Sequence, residues 1–103
     1  MNVLLVEDDL DQATKVANRV QRHLGKDTNV LGPYSEFSSV LTIVKEQKFH
    51  LALIDIQLKN DLYAGINIAE TIQQFHPVPI LFISGSIYFF NLSGEIATER
   101  SSG

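Results

Sequence analysis

The sequence predicts a doubly wound α/β domain, with helices packed on both faces of a parallel sheet. Short runs that are wholly or almost wholly apolar alternate with stretches whose apolar residues recur at helical spacing, as in successive strand–helix units. The runs, among them Val3–Val6 and "FHLALI", lack a polar face, so each strand must be covered on both sides. Strand, helix and loop lengths of ordinary size give roughly 25 residues per unit. Four units then fill most of the 103 residues.

Each element has a local cause. Asn2–Val6 is the first strand. From Leu10 the apolar positions become Leu10, Ala13, Val16, Ala17, Val20 and Leu24, one face of a helix. Asp9 stands three before Gln12, a capping box for that helix. Asp11 falls in its first turn, where the helix dipole favours an acid. Gly25 stops it. Thr28–Leu31 is a short second strand ended by Gly32-Pro33. Ser35 is placed to cap a second helix with Phe37, Val40, Leu41 and Val44 inward. Phe49–Ile54 is the third strand, ending at Asp55. The loop "IQLKNDLYAG" leads to a third helix with Ile68, Ala69, Ile72 and Phe75 inward. His76-Pro77 closes it, because proline disfavours helix in the residue before it. Pro79–Ile83 is the fourth strand. The remainder has room for a helix carrying Phe89, Leu92 and Ile96 and holds no convincing fifth strand.

Composition excludes several classes. Hydrophobic residues make up 45% and charged residues 19% of the chain, values typical of one globular domain. A net charge of −4 with eight scattered Lys and Arg leaves no footprint for nucleic acid or an anionic membrane. Without cysteine, disulfides, thiolate catalysis and Cys-based zinc sites are excluded. No apolar run approaches the ~20 residues that span a bilayer. The expectation is a cytoplasmic protein.

In an open parallel sheet, ligands bind beyond the C-terminal strand ends. The first strand runs into Glu7-Asp8, the third ends at Asp55, and the fourth runs into Ser84. Converging carboxylates need a counter-charge, and a hard divalent cation such as Mg²⁺ supplies one through oxygen ligands. A cation, a carboxylate nucleophile and a hydroxyl donor are parts of a phosphoryl-transfer site.

The segments "VLLVEDD", "LALIDIQL" with Gly65 and Ala69 beyond it, and "PILFISGS" together resemble the receiver domain of two-component response regulators, over residues 2 to about 86. The resemblance implies a flavodoxin-like three-layer sandwich with strand order 2-1-3-4 and one domain over 1–103, its segment 87–103 atypical. It implies that Asp55 is the phosphoacceptor for a sensor histidine kinase or phosphotransfer protein. Asp8 would ligate Mg²⁺ directly and Glu7 through water, with Asp55 and the Gln57 backbone carbonyl completing the protein ligands. Ser84 would bind the phosphoryl group and switch. The domain would be a phosphoacceptor rather than an enzyme.

The sequence departs from the family in two ways. The segment from Asp55 to Gly65 is longer than usual and lacks the common proline. Receivers also place a Lys at the end of a fifth strand, whereas here the last Lys is Lys59 and the final 44 residues hold one basic residue, Arg100. Either the chain is a truncated receiver or its C-terminal third has diverged. Two alternatives follow. One is a receiver-like module acting by association alone. The other is an Asp-nucleophile phosphatase, which would want an acid two residues after Asp55, where Gln57 stands.

Structural roles compete at each position. Capping is the stronger role for Asp9, and solvation for Lys59, although Lys59 could reach the phosphoryl group from its loop. His23, His50 and His76 lack metal-ligand spacing. "YFF" at 88–90 reads as packing or interface. Without a fifth strand, "PILFI" would be an apolar sheet edge, so self-association through the C-terminal edge is expected.

Overall fold

β1 (Asn2–Val6) shows most directly how the sequence builds the fold. Successive strand residues face opposite sides. Val3 and Leu5 enter one buried cluster with Ala13, Val16, Leu53 and Ile83. Leu4 and Val6 enter the other, with Val40, Val44, Ile68 and Ile72. A strand apolar from Val3 to Val6 thus has a core on each face, as its composition requires.

The computed structural model describes residues 1–56, 58–83 and 90–91. After β1 come α1 (Leu10–Leu24), β2 (Asn29–Tyr34), α2 (Phe37–Glu46) and β3 (Leu51–Asp55). A 3-10 turn (Leu58–Asn60) leads to α3 (Leu62–Phe75), β4 (Ile80–Ile83) and β5 (Phe90–Asn91). The sheet order is β2-β1-β3-β4-β5, and the first four strands are parallel. α1 covers one face, and α2 and α3 cover the other. This is the doubly wound, flavodoxin-like order 2-1-3-4 expected for the first four strands.

The differences from the sequence reading have local causes. β2 does not stop at Gly32-Pro33 but continues to Tyr34. Leu4 pairs with Leu31 and Val6 with Tyr34, so β2 carries one extra residue, a bulge. Gly32 makes it feasible: its φ is +116°, and a Cβ there would lie 2.5 Å from the Leu5 carbonyl oxygen. Pro33 is tolerated because β2 is an edge strand. The residue capping α2 is Glu36 rather than Ser35, and its side chain makes no capping bond.

Four helical residues expected inward face out, namely Leu10, Leu24, Phe37 and Phe75. Each sits at an end of its helix, beyond the width of the sheet. Phe75 is held instead by the Lys45 ammonium, 5.8 Å from its ring centroid. The expected bare edge is also corrected. β5 pairs antiparallel with β4 through Leu81 and Phe82, so that edge is paired within the chain at these two positions. The fifth strand is atypical in direction and length. Residues 84–89 and 92–103 lie outside the described residues, and with them the "SIYF" segment and the expected last helix.

Candidate functional site

β1 and β3 are adjacent and in register, with Val6 opposite Ile54. The next pair along is Glu7 and Asp55, so two carboxylates emerge side by side at the C-terminal edge of the sheet. Asp8 follows one residue later. The three residues each offer a carboxylate oxygen, all within 4.8 Å of one another. The sequence predicted this convergence.

Glu7 is only 4% exposed. Its backbone N–H donates to the Tyr34 carbonyl at 2.9 Å, an interaction that extends the β1–β2 ladder and draws the residue into the sheet. Its pKa is pushed up to about 7, chiefly by burial, with further contributions from the Asp55 charge, a hydrogen bond with Asp55 and the Asp8 charge. A bond donated by the Asp9 backbone N–H to Glu7 Oε1, 3.2 Å long, works in the opposite direction. The raised pKa eases the accumulation of charge where Glu7 meets Asp55 and Asp8 without a cation.

Asp9 caps α1, its Oδ1 accepting from the N–H groups of Asp11 at 2.9 Å and Gln12 at 3.2 Å. Its own N–H goes to Glu7, so Glu7 takes the place of the return arm expected from Gln12. The cap thereby fixes the Glu7 carboxylate. Asp9 serves structure, as its spacing implied.

Gly65, in the first turn of α3, packs on the end of β3. A Cβ there would lie 2.7 Å from the Asp55 carbonyl oxygen and 3.4 Å from that of Ile56. The Ile56 N–H donates to the Ile83 carbonyl at 2.9 Å. Asp55 is thus held by β1, β4 and α3 together.

Lys59 stands in the left-handed region, φ 54° and ψ 35°, in the middle of the 3-10 turn. Its ammonium pairs with the Glu36 carboxylate at the start of α2. Glu36 carries no signal of this role in its own stretch of chain, because the two residues lie 23 positions apart and nothing local links them. Gln57 and Ser84 lie outside the described residues. Two of the three histidines are engaged elsewhere. His50 Nδ1 accepts from the Asn2 N–H at 3.0 Å, and His76 Nε2 lies 2.6 Å from the Val44 carbonyl oxygen.

Three hard oxygen donors this close suit Mg²⁺, Mn²⁺ or Ca²⁺ better than a soft metal. A divalent cation would compete with the proton that Glu7 takes up more readily than an ordinary glutamate. A pH dependence follows for the cation-free protein. The folded-state pKa of Glu7 lies above its ordinary 4.5, so the folded state binds that proton more tightly than the unfolded chain. The stabilisation is complete below about pH 4.5 and is lost as pH rises through 7. Chemical denaturation in chelator should give an unfolding free energy about 1–2 kcal/mol lower at pH 8 than at pH 5 from this group. Glu7→Gln should flatten that slope.

The comparisons with known proteins agree with this geometry. Residues 3–90 match the family model described as response regulator receiver domain. A solved fusion protein, described as yeast Spc42 trimeric coiled-coil amino acids 181–211 fused to another structure, superimposes with a TM-score of 0.66 at 26% identity. The match covers 81% of this chain and 52% of that one, so the chain spans about half the length of the fusion. No curated protein matches the chain. Among the described residues, no helix is long and apolar enough to cross a membrane.

Proposed function

This chain belongs to the response regulator receiver family, and we propose that it takes a phosphoryl group from a phosphohistidine onto Asp55. The supporting observation is the convergence of Glu7, Asp8 and Asp55 at the ends of adjacent strands, with carboxylate oxygens within 4.8 Å. An Asp55 oxygen attacks phosphorus, the P–N bond breaks, and the imidazole leaves with a proton from solvent. Asp55 is suited to this role because its backbone is fixed on three sides and its side chain is only partly covered.

Asp8, Glu7 and Asp55 would hold Mg²⁺, with the Gln57 carbonyl added by resemblance. Bound there, the cation offsets negative charge on the phosphoryl oxygens. Glu7 must give up its proton to serve, and Asp9 keeps its carboxylate oriented while it does so. Ser84 would hydrogen-bond the phosphoryl group. The donor is a sensor histidine kinase or phosphotransfer protein. The product is a phosphorylated surface, so the domain is a phosphoacceptor rather than a turnover enzyme.

Incubation with phosphoramidate and Mg²⁺ should add one phosphoryl group by intact mass, and chelation should prevent it. Absence of any gain, with several small donors, would favour a receiver that works by association alone. One observation favours that second reading, namely the single basic residue after Lys59.

A further inference from the structure

A phosphoryl group on Asp55 replaces its single carboxylate charge with close to two on the phosphoryl oxygens, at an edge that already carries Glu7 and Asp8. The connections at that edge are 7–9, 35–36 and 56–61 among the described residues. They contain one basic residue, Lys59. The remaining Lys and Arg among the described residues lie along α1, in the last turn of α2, or in the connections at the opposite edge (Lys26 and Lys48).

Lys59 is four positions from Asp55, in a turn anchored by the buried Leu58 and closed by the Asp61 N–H donating to the Leu58 carbonyl at 2.9 Å. Its left-handed backbone is uncommon for a residue with a side chain, and such conformations concentrate at functional turns. Its present partner is Glu36. Both side chains of that pair are substantially exposed, 44% and 62%, and exposed pairs of this kind are weak and screened by salt. Glu36 also sits at the N-terminus of α2, where the helix dipole stabilises a carboxylate without any lysine. Giving up Lys59 is therefore cheap for Glu36, whereas a phosphoryl dianion offers Lys59 stronger charge-assisted hydrogen bonds.

We propose that Lys59 is the phosphoryl-binding cation of this domain and that it exchanges Glu36 for the phosphoryl oxygens when Asp55 is modified. The inference rests on Asp55 being the phosphoacceptor. The exchange also carries the signal outward. Lys59 and Glu36 both line a groove of about 590 Å³ between the start of α2 and α3, together with Phe37, Leu58 and Asn67. Departure of Lys59 leaves the Glu36 charge unpaired beside the exposed Phe37 ring, so the groove differs between the two states.

The test compares the parent chain with Lys59→Met, Lys59→Arg and Glu36→Gln, using phosphoramidate and Mg²⁺ with intact-mass detection of uptake and decay. Lys59→Met should slow uptake about tenfold, and Lys59→Arg should restore most of it. Glu36→Gln, which removes the competitor, should speed uptake or prolong the phosphorylated state two- to threefold. A merely structural ion pair would move both single losses in the same direction. Equal or unchanged kinetics in the Met and Gln variants, with the parent phosphorylated, would overturn the role of Lys59 and leave Asp55 in place. A parent chain that takes up nothing would overturn both.

Discussion

Asp55→Asn is expected to take up no phosphoryl group from phosphoramidate and Mg²⁺, and to unfold at the same temperature as the parent or a few degrees higher. The two effects have opposite signs for one reason. The amide is nearly isosteric with the carboxylate, so the packing of Gly65 against the Asp55 carbonyl and the β3 ladder are kept. Its nitrogen lone pair is delocalised and its oxygen uncharged, so no competent nucleophile remains. Removing the charge also relieves the repulsion that helps hold Glu7 near pKa 7. That relief is worth up to about 1 kcal/mol in the cation-free protein, or a few degrees for a domain of this size. The slope of stability against pH should flatten in parallel. Loss of phosphorylation together with a large loss of stability would mean that Asp55 serves the fold, and continued uptake would mean that another side chain is the acceptor.

That balance bears on how the site was legible in the sequence. Strand ends are readable because an unbroken apolar run fixes where burial stops, and Val6 and Ile54 are the last fully covered positions of their runs. The first polar residue after each run must then lie at the sheet edge, and parallel topology brings those edges together. The cap at Asp9 is equally local. What escaped depends on neighbours. Nothing near Glu7 in the chain announces that Tyr34 will hold it down, because that requires β2 to continue past a proline. Local rules end a strand at Gly32-Pro33, and only the edge position of β2 and the bulge explain why it proceeds. The Lys59–Glu36 pair joins two connections that sequence spacing leaves unrelated. Phe37 and Phe75 matched the helical periodicity but stand where the sheet no longer reaches, since periodicity gives a face and not its extent.

Gly65→Ala is expected to destabilise the domain by about 1 kcal/mol, against the sign that helix propensity gives, and Gly65→Val by about 3 kcal/mol. In an exposed helix, replacing glycine by alanine gains about 1 kcal/mol. Here the new methyl would lie 2.7 Å from the Asp55 carbonyl oxygen, with Ile56 O at 3.4 Å and Ile54 Cγ2 at 3.5 Å behind it. The oxygen belongs to backbone held in the ladder between β1 and β4, so it cannot rotate away as a side chain would. Either α3 lifts from the sheet, loosening Ile68 and Ile72 from the core, or the end of β3 bends. Both outcomes shift the residue that carries the nucleophile, because Asp55 supplies the side chain to the site and the carbonyl to the clash. Phosphoryl uptake should therefore fall about tenfold in Gly65→Ala even at temperatures where the variant is fully folded, as a sub-ångström misplacement of a reacting group costs rate. Denaturant titration and uptake kinetics on the same samples separate the two effects. A stabilised alanine variant with parent-like uptake would show that α3 is free to stand off from β3, and that the glycine is not what seats Asp55.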